Sequence, residues 1–287
     1  MFNFLIQLRI KKEKKDYYYK NMTSNNLQTT IDSFTRLLSI MDELRKKCPW
    51  DQKQTFDSLR NLTIEEVYEL ADAILEKDSS EIKKELGDVL LHIVFYSKIA
   101  SETNTFTIGD VIDSLCEKLI YRHPHIFGDE KADNQTQVLE RWEELKLKEK
   151  GRPKTVLGGV PESLPALIKA NRIQSKARAV GFDWEQKEQV WDKVEEELQE
   201  LKHEIFTNES QEKIEQEFGD FLFSMINAAR LYGIDPETAL ERTNKKFKRR
   251  FEYLESQTIA KGLDLKEMTL QQMDVFWDEA KKLEKKY

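Results

Sequence analysis

The sequence predicts an all-α protein made of two helical bundles in tandem. Three observations predict it. Nearly every long segment carries apolar residues at helical spacing, and no stretch alternates as a half-buried strand would. All six prolines, at positions 49, 124, 153, 161, 165 and 236, fall where these patterns stop or start, as befits a residue that cannot donate a helical hydrogen bond. The two halves of the chain repeat the same motifs in the same order.

Along the chain, residues 1–26 read as an extension outside the fold. Their apolar start precedes the basic run from Lys11 to Lys15, the reverse of a secretory signal. Met22 is a candidate start, because the helical pattern begins just beyond it. A first domain is expected over 27–150. In it Ile31, Phe34, Leu37, Leu38 and Met41 form one apolar stripe, and Val67, Leu70, Ala71 and Ile74 a second. Ile82, Leu86, Val89, Leu90 and Ile93 form a third. Residues 151–163, rich in Gly and Pro, read as a linker, and 164–287 as a second domain.

The 287 residues carry 46 basic and 53 acidic side chains, a net charge of -7. A body that acidic repels a nucleic-acid backbone, so direct nucleic-acid binding is not expected. It can still take a polyanion at one point if metal ions supply positive charge. No segment approaches the roughly 20 apolar residues that span a bilayer. Cys48 and Cys116 fit neither a disulfide framework nor a zinc site, and point to a reducing, cytoplasmic setting.

The chemistry lies in paired carboxylates. Glu65, Glu66 and Glu69 are followed by Glu85 and Asp88; Glu196, Glu197 and Glu200 are followed by Glu217 and Asp220. The offset between copies is 131 residues at the first motif and 132 at the second. Glu66 with Glu69, and Glu85 with Asp88, are three apart and so neighbours on a helix face. If the two helices pack through their apolar stripes, the four carboxylates converge along one edge. Acids so placed need cations, and an all-oxygen set suits Mg2+ or Mn2+. One such pattern could arise by chance on a solvated helix, whereas two in register could not be so easily dismissed. Gly87 and Gly219 interrupt these helices at about 1 kcal/mol each relative to alanine; either tight helix packing or room for a ligand explains them. Downstream, Lys118 and Arg122 pair with Lys246 and Arg250 at an offset of 128, Trp142 pairs with Trp277, and Trp50 roughly with Trp184. A di-iron bundle would need two Glu-x-x-His pairs, and Glu200 with His203 is alone. His92, His123, His125 and His203 are expected at the surface or in packing.

These motifs resemble the MazG family of nucleoside triphosphate pyrophosphohydrolases. Cys48 to Asp51, Arg122 to Phe127, Val180 to Trp184 and Lys246 to Arg250 extend the similarity over roughly residues 30–285. The resemblance implies Mg2+ held by Glu66, Glu69, Glu85 and Asp88, and again by Glu197, Glu200, Glu217 and Asp220. It implies nucleotide contacts from Lys193, Glu196, Lys246, Arg250 and Trp277. It also implies cleavage of NTPs and dNTPs to monophosphate and pyrophosphate, clearance of aberrant nucleotides, and homodimers that complete each other's bundles. The catalytic set expected in the second half is Glu196, Glu197, Glu200, Glu217 and Asp220, with Glu196 or another uncommitted carboxylate as general base. The second half is favoured because Lys245 to Arg250 carries five positive charges, against two positives and one negative in Glu117 to Arg122. A helical module that senses nucleotides or binds a partner without turnover is the alternative.

Overall fold

The computed structural model describes residues 24–128, 130, 134, 137–138, 141–142, 145–146, 149, 155–207 and 210–284, with side chains described from residue 27. The extension expected over 1–26 thus lies outside the described residues, apart from the backbone of 24–26. So does the start of the expected linker. Every regular element among the described residues is helical, and none of those helices is long and apolar enough to cross a membrane. The chain divides into two compact units, Met1–Leu119 and Ile120–Tyr287.

In the first unit, helix α1 (Ser24–Lys47) leads through a 3-10 turn to a hairpin of α2 (Phe56–Glu76) and α3 (Ser79–Glu102). Local chemistry fixes the hairpin's ends. Thr55 and Ser58 form a reciprocal capping box at the start of α2. Lys77 ends the helix in the left-handed region at φ 57°. Asp78 then caps α3 by accepting from the backbone N–H of Ser80 and Glu81. Two residues between helices make α2 and α3 antiparallel neighbours. Met41, Leu59, Val94 and Phe95 form the core, with Phe34, Leu37, Leu38, Leu62, Leu91, Tyr96 and Ile99 against it. Helix α4 (Ile108–Arg122) follows, with Ile112, Leu115 and Leu119 exposed; the boundary between the units falls within its last turn, and the short α5 (Pro124–Phe127) belongs to the second unit.

In the second unit, α6 (Ala166–Arg178) is followed by the hairpin of α7 (Val190–Thr207) and α8 (Gln211–Leu231), then by α9 (Pro236–Ala260) and α10 (Leu270–Glu284). Ser210 caps α8 and Asp235 caps α9, with Pro236 at the first helical position. Val190, Val194 and Ala228 anchor the hairpin's core, packed by Phe221 and Leu231. Leu254 and Thr258 on α9, and Phe276 and Ala280 on α10, are buried at one-turn spacing, and these two helices pack together.

One expectation is overturned for α2, α3 and α8. The apolar stripes do not form the seam. Val67, Ile74, Leu86, Leu90 and Ile93 are exposed, as are Phe218, Leu222 and Met225. The seam of α2 with α3 is instead built from Leu59, Thr63 and Glu66 against Glu85, Asp88, His92 and Tyr96. These residues recur at spacings of three and four, one face of each helix. Apolar faces of α2, α3 and α8 are thus left uncovered within the single chain, whereas α7 buries Val190, Val194 and Leu201.

Candidate functional site

The seam of each hairpin carries a carboxylate cluster. In the first unit, Glu66 of α2 and Glu85 and Asp88 of α3 bring one oxygen each within 4.8 Å of one another. In the second, Glu197 of α7 and Glu217 and Asp220 of α8 do the same. One member of each trio is deeply buried: Glu85 is 3% exposed and Glu197 is 7% exposed. The buried member of each trio therefore sits between the helices, on the line of core residues, while the other members are half-buried and Asp220 is exposed. Glu69 and Glu200 are exposed and stand outside the trios. They remain close enough for their charge to act on Glu66 and Glu217. Each expected quartet is thus a trio with a fourth acid at its rim.

The electrostatics follow. Burial first, and then the charges of Asp88, Glu69, Glu85 and Glu65, hold the Glu66 carboxyl above its usual range. Glu217 is raised in the same way, by desolvation and then by Glu200, Asp220, Glu197 and Glu204. Glu204 is an acid the sequence reading missed. It follows Glu197 by seven residues, two turns along the same face, and its buried Oε2 has no hydrogen-bond partner.

A lysine answers each buried acid. The Lys84 ammonium donates to Glu85 Oε1 at 2.7 Å. Lys193 lies 2.8 Å from Glu196 and 2.7 Å from Glu197, and its hydrogen bonds to both hold its own pKa above the ordinary lysine value. One ammonium against three carboxylates leaves each trio with a net charge of -2. Glu85 Oε2 is buried without a partner. A hard divalent cation matches this donor set: oxygen ligands, surplus negative charge and a buried lone pair with no donor.

Gly87 and Gly219 come next to these acids, and a Cβ at either would meet nothing within 4 Å. Tight helix packing within the chain is therefore not what keeps them small.

A second group gathers the other predicted residues on α9 and α10. Arg250 donates from Nε and Nη2 to Glu284 Oε2 at 2.9 and 2.5 Å, and its guanidinium lies 5.8 Å from the Trp277 ring centre. Lys246 is close enough for its charge, after those of Arg250 and Arg249, to hold the Glu284 carboxyl below its usual range. Trp277 also meets Phe247 at 5.0 Å. Among the described residues, no hydrogen bond or ion pair joins this group to the trio on α7 and α8. Glu284 was not expected from sequence, yet the repeat marks it. Arg122 pairs with Glu149 at 2.6 and 2.8 Å, and Glu149 follows Trp142 by seven residues, as Glu284 follows Trp277.

Among the remaining residues, His92 is buried and serves packing. Thr63 Oγ1 lies 2.7 Å from its Nδ1 and 2.6 Å from the Tyr96 hydroxyl. Burial lowers the His92 pKa. Trp184 is partly exposed beside Asp183, which accepts from Arg230 at 3.1 and 2.5 Å. Both cysteines are free thiols.

Comparison with known proteins gives concordant results. The model of the MazG nucleotide pyrophosphohydrolase domain matches twice, over residues 54–127 and 185–254, so each match contains one carboxylate trio. The chain is 46% identical over 251 residues to the nucleoside triphosphate pyrophosphohydrolase/pyrophosphatase MazG of Thermotoga maritima, covering 86% of this chain and 95% of that protein. It is 40% identical over 260 residues to the nucleoside triphosphate pyrophosphohydrolase of Escherichia coli K12, covering 88% and 99%. It is also 45% identical over 256 residues to the uncharacterized protein YabN of Bacillus subtilis, covering 88% of this chain and 52% of that one.

Proposed function

As the chain belongs to the MazG nucleotide pyrophosphohydrolase family, we propose that it cuts nucleoside triphosphates to monophosphate and pyrophosphate at Mg2+ sites built from its carboxylate trios. The chain is a nucleoside triphosphate pyrophosphohydrolase; the ion, the residue roles and the assembly are the proposed parts. The observation that carries them is the duplicated trio of Glu and Asp oxygens within 4.8 Å, placed in a seam where apolar side chains would pack better. Mn2+ suits the same ligands.

In the second half, Glu197, Glu217 and Asp220 hold the ion, with Glu200 at the rim; Glu66, Glu85 and Asp88, with Glu69, are the counterparts. A divalent ion bound there supplies charge neutralisation for the triphosphate and lowers the pKa of the attacking water. Lys193 holds Glu196 by donating to its Oε1, which orients that carboxylate as the general base; Glu200 is the other candidate base. Glu284 holds Arg250 by its Nε and Nη2, leaving the Nη1 edge toward phosphate oxygen. Trp277 offers a ring for the base, and Lys246 adds positive charge.

The uncovered apolar faces of α3 and α8 support a homodimer in which a second copy supplies the missing layer. Leu86 and Leu90 in the first unit, and separately Phe218 and Leu222 in the second, are exposed where a stable monomer would bury them. Free thiols at Cys48 and Cys116 suit a reducing cytoplasm.

Incubation with a dNTP and Mg2+, read as pyrophosphate release, tests the assignment of halves. Glu217→Gln combined with Asp220→Asn lowers the rate at least about a hundredfold, the scale of losing a catalytic metal site. Loss on Glu85→Gln with Asp88→Asn instead would reverse the halves. Nucleotide binding without turnover would favour a sensor.

A further inference from the structure

Away from the carboxylate trios, α1 carries a groove of about 500 Å3. Ile40, Leu44 and Cys48 make its floor, each one turn from the next, and Arg36, Glu43 and Lys47 border it. This is not the face that α1 gives to the core, where Phe34, Leu37, Leu38 and Met41 are packed. A surface helix with one buried face carries polar residues on the other. Here the other face keeps an apolar line, and Ile40 on it is 45% exposed. Glu43 and Lys47 pair with each other along its border. Asp32, also exposed, continues the same outward face one turn before Arg36.

The sequence supplies a segment that matches this surface. Twenty-three residues precede α1. They include Phe2, Leu5, Ile6 and Ile10, and hold no glycine or proline, so nothing in them forbids a helix. They carry six basic side chains against two acidic, in a protein whose net charge is -7. The point of attachment decides what the segment can reach. It joins α1 at Ser24, twelve residues before Arg36, or about 18 Å along the helix axis. A helical arm that turns back at Met22 returns with the same rise per residue. Lys12 then comes level with Asp32, Leu5 with Ser39 and Phe2 with Asp42. The apolar end of the segment meets the groove, and its basic run meets the acid that precedes it.

We infer that residues 2–10 fold back along α1 and seat Phe2, Leu5 and Ile6 in the groove over Ile40 and Leu44, with Lys12 against Asp32. The first unit thereby gains a helix antiparallel to α1, and α1 becomes covered on both of its apolar faces. A tether of a few residues gives the segment an effective concentration of roughly millimolar order, so a small contact is enough to hold it. The docking involves neither carboxylate trio and is independent of the catalytic reading.

Thiol protection in the full chain tests it. Cys48→Ser and Cys116→Ser remove both native thiols, and Ser39→Cys places one on the exposed border of the groove. Iodoacetamide alkylates that thiol slowly when the segment is natural. Leu5→Gln combined with Ile6→Gln, which preserves charge and a fair helix propensity, speeds the reaction at least about tenfold, the scale of losing one buried leucine or isoleucine side chain. Ile40→Gln, at a half-exposed position where folding tolerates the change, does the same from the groove side. Cys116, in a chain carrying Cys48→Ser alone, reacts equally fast with either segment. The protected rate is also independent of protein concentration, as an intramolecular contact requires. The inference is overturned if neither set of glutamine substitutions speeds alkylation, or if Cys116 is released to the same degree. It is overturned equally if protection rises with protein concentration, which would place a second copy in the groove.

Discussion

Glu85→Gln should stabilise the metal-free first unit while removing the Mg2+ response of its own trio. Glu85 is buried with an oxygen within 4.8 Å of oxygens of Glu66 and Asp88. Two unit charges at that separation repel by about 3.5 kcal/mol at an effective dielectric of 20, and by about 1 kcal/mol in water. Glu66 and Asp88 are half-buried, so solvent screening brings each pair toward the lower figure. Two relieved pairs are worth roughly 2 kcal/mol, and losing the pair to exposed Lys84 gives back about 0.5 kcal/mol. The new amide also donates to the acids that Glu85 repelled. The net expectation is a gain of about 1–2 kcal/mol in EDTA at neutral pH, or roughly 3–6 °C in the unfolding midpoint. Adding millimolar Mg2+ then reverses the order. The wild type gains by mass action at both trios, about 1.4 kcal/mol for each tenfold excess over Kd, and the variant gains only at the trio of Glu197, Glu217 and Asp220. Scanning calorimetry with and without Mg2+ reads both effects. A variant less stable than wild type in EDTA, with an equal response to Mg2+, would refute the mutual repulsion of these acids.

Two further outcomes follow from the same geometry. Because Glu66 and Glu217 are held above the ordinary carboxylate range, the folded protein binds protons that the unfolded chain has already lost. Metal-free stability therefore falls as pH rises through that window, whereas Mg2+ affinity rises as the two groups deprotonate; titrations toward lower pH should show affinity beginning to fall while the pH is still above 4.5, the ordinary glutamate value, and a flat profile would contradict the clustering. Leu222→Glu places a charge in the uncovered apolar face of α8 and should shift the protein toward monomer in sedimentation or light scattering; an unchanged mass would place the partner surface elsewhere.

Much of this was legible in the chain itself. Proline placement and helical spacing marked α-helices throughout, and the capping residues Thr55, Asp78, Ser210 and Asp235 stand where helix starts are expected. The repeat singled out the acids of both trios before any geometry was known. The seam was misassigned, because hydrophobicity alone cannot say which apolar face a helix buries within one chain and which it leaves for another surface. Val67 and Leu86 are strong core residues by composition, yet they are exposed, while Glu85 and Glu197 are buried. The rim positions of Glu69 and Glu200 depend on the rotation of packed helices, which a spacing of three does not fix. Glu204, Glu149 and Glu284 escaped notice because each lies outside the short motifs, although all three keep seven-residue spacing to a residue already singled out.

Diffraction from crystals grown with Mn2+, recorded for its anomalous signal, addresses the carboxylate trio most directly. A peak at the oxygens of Glu197, Glu217 and Asp220, about 2.0–2.2 Å from each as expected of a hard divalent ion, is the predicted result. Occupied Mn2+ elsewhere in the crystal with none at either trio would contradict it.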